Sequence, residues 1–281
     1  MAGLETHEFT TYEVKGSVAV ISLNRPDKAN SQHHPLLHEL DGLWQKAIDD
    51  DDVRVIIMRG NGRHFSAGHD LTGFQDPKLD KMREEGRYDL AVHYRAETKV
   101  FLGYTLGWRN CPKPTIAAVQ GKCMAAGLML CWPCDLIIAA DNAEFADPVL
   151  RMALVGIEYH AHAWEFGARK AKEMLLTGRT MKADEAERIG MVNKVVPLAQ
   201  LDDEALAWAN EIAKLDPFMA SMAKRTVNST LDIQGFTTAI QANFDLHELS
   251  HGIHYSRPAK DGPSILETMR AANKEIAEKQ G

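Results

Sequence analysis

Lys113-Pro114-Thr115-Ile116-Ala117-Ala118-Val119-Gln120-Gly121 runs straight into Lys122-Cys123-Met124-Ala125-Ala126-Gly127. Ile116 to Val119 is a short apolar run bounded by Pro114 and Gly121, which predicts a buried strand. Upstream, Val53 to Met58 has the same character and ends at Gly60-Asn61-Gly62, and downstream Cys134 to Ala139 repeats it. Val14 to Leu23 alternates β-branched residues about a Gly turn, a strand pair that stops at Asn24-Arg25-Pro26. From Pro35 to Asp49, Leu36, Leu37, Leu40, Leu43, Trp44, Ala47 and Ile48 fall at helical spacing, with Pro35 suited to a helix start. Buried strands alternating with helices predict an α/β fold with parallel pairing. After Pro197 the pattern changes to helices at Leu201–Leu215, Phe218–Leu231, Phe236–Ser250 and Pro263–Lys279. The expected division is an α/β unit over 1–198 and a helical region over 199–281 that packs on it or on another subunit.

The chain has 281 residues, 45% hydrophobic and 25% charged, which sets aside collagen-like, low-complexity and disordered classes. A net charge of −7 is the wrong sign for a nucleic-acid partner. Cys111, Cys123, Cys131 and Cys134 sit in apolar sequence and read as reduced thiols. Met1 to Tyr12 carries no Lys or Arg and no apolar core, so no targeting peptide is read there and a bacterial-type cytoplasmic location is expected. Ile116 to Ala140 is broken by Gly121, Lys122, Pro133 and Asp135, a core segment rather than a membrane span.

Several motifs mislead. Cys131-Trp132-Pro133-Cys134 has dithiol spacing but precedes a strand instead of opening a helix, which favours buried structural thiols, and no second Cys pair offers a zinc site. Gly60-Asn61-Gly62 lacks the third glycine of a dinucleotide fingerprint, since Phe65 stands there. His247, His251 and His254 share a helix face that could bind a metal, although a surface or subunit-contact stripe is favoured; no metal is expected. Lys78 to Arg87 reads as a polar helix or lid.

Two small-residue segments at strand ends remain: His64-Phe65-Ser66-Ala67-Gly68-His69-Asp70-Leu71 and Gly121 to Gly127. Small residues permit close approach of backbone to a ligand, and N–H groups at turn starts are the basis of an oxyanion hole; tight packing is the competing explanation. Leu23-Asn24-Arg25-Pro26-Asp27-Lys28-Ala29-Asn30 resembles the N-R-P-x-K-x-N segment of the enoyl-CoA hydratase/isomerase (crotonase) family, and Phe65 to Leu71 its F-S-A-G-x-D-[IL]. Lys113 to Gly121 is similar to K-P-x-I-A-A-V-x-G, Cys134-Asp135-Leu136-Ile137-Ile138-Ala139 to C-D-x-x-x-A, and Leu176-Thr177-Gly178 through Gly190 to Val196 to the family's later run.

The resemblance implies a spiral of ββα units with a C-terminal helical trimerisation region, assembled as a homotrimer or homohexamer. It implies a coenzyme A thioester as substrate, with no separate cofactor, whose carbonyl oxygen meets the main-chain N–H groups of His69 and Ala126. Lys28, Ala29, Ala67, Asp70 and Leu71 would lie along the CoA. Alignment puts Met129 and Val149 where family hydratases carry two glutamates, and neither side chain can move protons. In Val155 to Trp164 the usual Gly-rich segment is replaced by Glu158, Tyr159, His160 and His162, so Glu158 and His160 are candidate proton carriers, or a subunit-contact loop. Asp147, next to the lost position, is a third candidate, or a helix cap. The expected activity is enoyl-CoA hydration in fatty-acid or related catabolism; isomerisation, decarboxylation, hydrolysis and non-catalytic binding of an acyl-CoA are the alternatives.

Overall fold

Every residue of the strand Val18–Leu23 is buried, although a strand's side chains point alternately to opposite faces. Both faces are therefore covered. Val18 and Val20 join Val55, Ile57, Ile116, Ala118, Ile138 and Ala140 in one cluster, sealed by Leu201, Ala205 and Ala209. Ala19, Ile21 and Leu23 point the other way, with Ile56, Met58, Ala117, Val119, Ile137 and Ala139, into the larger core. A run that is apolar at both parities is what a sheet buried between layers requires.

The computed structural model describes residues 3–73, 76–85 and 87–256. The strands are β1 (Glu5–Thr6), β2 (Thr10–Lys15), β3 (Val18–Leu23), β4 (Val55–Gly60), β5 (Thr115–Val119), β6 (Lys122–Met124), β7 (Leu136–Ala140), β8 (Glu144–Ala146), β9 (Met181–Lys182) and β10 (Lys194–Val196). A seven-stranded sheet has the order β1-β2-β3-β4-β5-β7-β10, and a three-stranded sheet the order β6-β8-β9. β1, β2 and β3 pair antiparallel, and from β3 through β4, β5 and β7 to β10 the pairing is parallel. β5 and β7 each pass through a turn into the small sheet, where β6 and β8 pair in parallel. This α/β arrangement is the one the family resemblance implies, and it carries the site at the turns between the two sheets.

The His34–Asp49 helix begins as expected, with Pro35 in its first turn and the His33 Nδ1 accepting from the Leu36 N–H at 3.0 Å. Its Trp44 stacks on Trp108, ring centroids 5.9 Å apart. The helical stretch before β5 contains a π-helical insert, Thr98–Gly103, between Leu90–Glu97 and Tyr104–Arg109. The insert changes the side-chain period, so consecutive Val100, Phe101 and Leu102 all reach the core.

Beyond 198, Leu201–Ile212 closes one face of the sheet, so this segment supplies core to the α/β layer. Pro217–Ile233 has no buried residue and leaves Phe218, Met219, Val227 and Ile233 exposed. Phe236–Ser256 sends Phe236, Ile240 and Phe244 into the main core. The helix read at Pro263–Lys279 lies outside the described residues. All four cysteines are free and buried, with burial pushing the Cys131 and Cys134 thiols up; the Cys123 and Cys131 Sγ atoms are 3.6 Å apart. No described helix is long and apolar enough to cross a membrane.

Candidate active site

The two small-residue turns lie against each other. Past β4, the Phe65 N–H donates to the Gln120 carbonyl at 2.8 Å and the Ser66 N–H to that of Lys122 at 3.0 Å. The Met124 N–H donates back to the Ser66 carbonyl at 3.0 Å. Gly68 has φ +91°, and a Cβ there would stand 2.8 Å from the Met124 carbonyl oxygen and 3.1 Å from the Ala126 nitrogen. A Cβ on Gly127 would meet the Ser66 carbonyl oxygen at 2.6 Å. Only glycine permits this approach, which brings the peptides of His69 and Ala126 to one cavity wall. Buried Gln32 ties the turns together, its Nε2 donating to Ser66 Oγ at 3.1 Å and to the Ala126 carbonyl at 2.9 Å.

The cavity has a volume of about 570 Å³. Ala67, His69, Asp70, Leu71, Ala125 and Ala126 form its turn side, and Val149, Met152, Leu154 and Ile157 its apolar side. The polar segment 78–87 expected as a lid contributes Leu79, Met82 and Arg87 to the lining. The remaining wall is charged: His93 and Glu97, then Glu158, then His247, His251 and His254.

Glu158 is 2% exposed, and its Oε1 lies 2.8 Å from His69 Nε2 and 3.8 Å from His247 Nε2. His69 also stacks on Phe101 with ring centroids 4.1 Å apart, which fixes its plane. Burial works to raise the Glu158 carboxyl, but the His69 and His247 imidazoles outweigh it and hold the group well below the usual carboxylate range. Glu97, 1% exposed, behaves oppositely: burial pushes it well up, reinforced by the neighbouring carboxylates against the pull of His93. Two adjacent carboxyls are thus driven apart, Glu158 down and Glu97 up. His251 is depressed to about 2, first by burial and then by its imidazole neighbours.

Of the candidates read from sequence, His69, Ala126 and Glu158 meet at the cavity. Asp147 and His160 are not among its lining residues. Asp147 is fully buried, its Oδ2 accepting from the Ile157 N–H at 3.1 Å and lying 2.9 Å from His162 Nε2, while Oδ1 accepts from the Val149 N–H at 3.3 Å. It fastens the loop that carries Glu158. His160 packs against Gly156 and His162, and burial lowers it to about 4. Val149 lines the cavity, and Met129 is buried in the core.

Along the expected CoA track, Ala67, Asp70 and Leu71 line the cavity, and Ala29 accepts from the Ala67 N–H at 2.9 Å. Lys28 is exposed at the end of the Pro26–Lys28 turn. Asp70 is 8% exposed and spends its charge internally, on Arg25 at 3.1 Å and on the Thr72 hydroxyl at 2.6 Å.

His247 and His251 correct the expectation of a surface stripe: at 2% and 7% exposure they point into the cavity. Glu97 and His93 were not singled out from the sequence at all. The signal was there as two i, i+4 pairs, His93 with Glu97 and His247 with His251, each on one helix face.

A family profile described as enoyl-CoA hydratase/isomerase matches residues 13–254. Crystal structures of probable enoyl-CoA hydratases from Mycobacterium thermoresistibile and Mycobacterium smegmatis are each 52% identical with a TM-score of 0.83, covering 89% of this chain and 99% and 96% of theirs. A probable enoyl-CoA hydratase of Rhizobium meliloti is 35% identical over 274 residues, 95% of this chain and 98% of that protein. The chain belongs to the enoyl-CoA hydratase/isomerase family.

Proposed function

We propose that this crotonase-family chain adds water to an enoyl-CoA, with the main-chain N–H groups of His69 and Ala126 holding the thioester oxygen and the Glu158–His69 pair moving protons. When the water oxygen bonds to the β-carbon, the double-bond electrons move through the α-carbon onto the thioester oxygen. Two aligned N–H donors stabilise that enolate, an effect worth about 10²–10³ in rate per donor in related sites. Glu158 takes the proton released by water and can return it to the α-carbon, so one carboxylate covers both transfers. The supporting observation is the Glu158–His69 pair, 2.8 Å apart, on the wall that the Ala126 turn also lines.

A shift of the double bond is the second reading, favoured by Val149: with an apolar side chain on that wall, a single carboxylate carrying a proton from one carbon to another suffices. The exposed Lys28 would meet CoA phosphate, with Ala29, Ala67, Asp70 and Leu71 along the arm. Asp147 and His160 serve the chemistry only by holding the Glu158 loop. The exposed apolar residues of Pro217–Ile233 support assembly as a homotrimer or homohexamer, read by light scattering.

A panel of acyl-CoA thioesters followed by mass spectrometry tests the reaction: a gain of one water reports hydration and an isobaric product isomerisation. Glu158→Gln should lower kcat about 10²–10⁴-fold and leave binding of an unreactive acyl-CoA analogue unchanged. Parent-like turnover in that variant would sink the assignment.

A further inference from the structure

Three side chains on the charged wall, His93, Glu97 and His251, are arranged as ligands of one ion. His93 Nε2 lies 3.2 Å from Glu97 Oε1, and His251 Nε2 lies 3.9 Å from the same oxygen. Ligand atoms of His93, Glu97 and His251 all fall within 4.8 Å of one another. On the other side of the Glu97 carboxylate, His247 Nε2 is 3.5 Å from Oε2 and 3.0 Å from His251 Nε2. Ligands at zinc–nitrogen and zinc–oxygen distances would be about 3.3–3.5 Å apart in a tetrahedron, within the spread of this trio.

The hydrogen bonding behind these atoms has the form metal sites use. His247 Nδ1 must donate to the Gly156 carbonyl, 2.7 Å away, because a carbonyl oxygen only accepts. His93 directs its other nitrogen, Nδ1, to Glu248 Oε2 at 3.4 Å, a carboxylate behind a histidine of the kind that orients metal ligands. Glu97 Oε2 and Glu158 Oε2 are buried without a hydrogen-bond partner among the described residues.

We propose that the wall binds one divalent transition-metal ion of the zinc class through His93, Glu97 and His251. Two imidazoles and a carboxylate select against magnesium and calcium, which prefer all-oxygen sites. The inference goes beyond the hydratase reading and does not depend on it.

The test uses the full chain, stripped with a chelator and titrated with Zn²⁺ and with Co²⁺. The expected result is one ion per chain and, for Co²⁺, the strong visible absorption of a four-coordinate nitrogen and oxygen site. Glu97→Gln should weaken Zn²⁺ binding by more than about 100-fold and Glu248→Gln by about 10–100-fold, with surface His7→Ala as the unchanged control. Absence of uptake by the stripped parent, a weak six-coordinate Co²⁺ spectrum, or equal affinity of Glu97→Gln and His7→Ala would each overturn it. Should Glu97→Gln not fold, the parent's stoichiometry and spectrum decide alone. An unreactive acyl-CoA analogue titrated into the same stripped protein reports separately on the hydratase assignment.

Discussion

The two halves of the cavity are built by different means. On the turn side the groups facing a ligand are peptides, positioned by glycines and by backbone bonds between neighbouring strand ends. On the charged side they are side chains drawn from segments 69, 93–97, 158 and 247–251, far apart in the chain and brought together by burial. The turn side tolerates little change in main-chain geometry and is indifferent to most side chains; the charged side is the reverse. Each substitution below tests that contrast, after the Glu158→Gln loss already given as the largest.

Gly127→Ala should come next. Its Cβ would sit 2.6 Å from the Ser66 carbonyl oxygen, a backbone atom that cannot swing away, so the two turns must part. Loss of one aligned donor predicts a fall in kcat of about 10²–10³, together with a lower Tm. Steady-state rates and a melting curve check both, and a parent-like rate would show that the turn side is less dependent on close approach than the geometry demands.

His69→Ala separates the halves within one residue, because its N–H belongs to the turn side and its ring to the charged side. The N–H survives, while the 2.8 Å contact with Glu158 is lost. Charge-assisted hydrogen bonds contribute about 1.5–3 kcal/mol, so a loss of about 10–100-fold in kcat with unchanged analogue binding is expected. A null effect would remove the ring from the chemistry and leave the peptide as its whole contribution.

The same contrast explains what could be read from the sequence. β3, β4, β5 and β7 are continuous apolar runs ending in Gly, Asn or Asp, and their local composition carries the sheet. Both turns were legible for that reason, since Gly68 and Gly127 are local requirements of backbone approach. The charged wall was only half legible: Glu158 stood out where small residues were expected, but nothing adjacent to His93, Glu97, His247 or His251 announces that they converge. Their burial is decided by how Leu90–Glu97 and Phe236–Ser256 pack on each other, information that no single helix contains. Asp147 shows the opposite error, a side chain near the site in sequence whose bonds are spent on the Ile157 and Val149 peptides.

The smallest expected effect is a pH dependence of stability set by histidines outside the proton-moving pair. His34 is 2% exposed and lowered to about 4, mainly by burial, with Asp76 at 3.4 Å opposing the shift only in part. His160 is also lowered to about 4, by burial and then by His162, with Asp147 pulling the other way. Both therefore stay neutral in the fold at a pH where an unfolded histidine, with its value near 6.5, has taken up a proton. The unfolded state binds more protons in that window, so these two groups favour folding fully above about pH 6.5, and their contribution falls as the pH drops toward 4. In the parent Glu97, a carboxyl raised in the fold, gives up a proton on unfolding and works against them, while His251, lowered in the fold, adds to them. The contribution of the pair is isolated by comparison: urea midpoints of the parent and of the His34→Gln/His160→Gln double variant, taken from pH 7 to pH 4, should diverge in slope by up to about 3 kcal/mol per pH unit near pH 5. Parallel curves would mean that both rings take up protons in the folded chain, and with them the loop that carries Glu158 would be far wetter than its burial indicates.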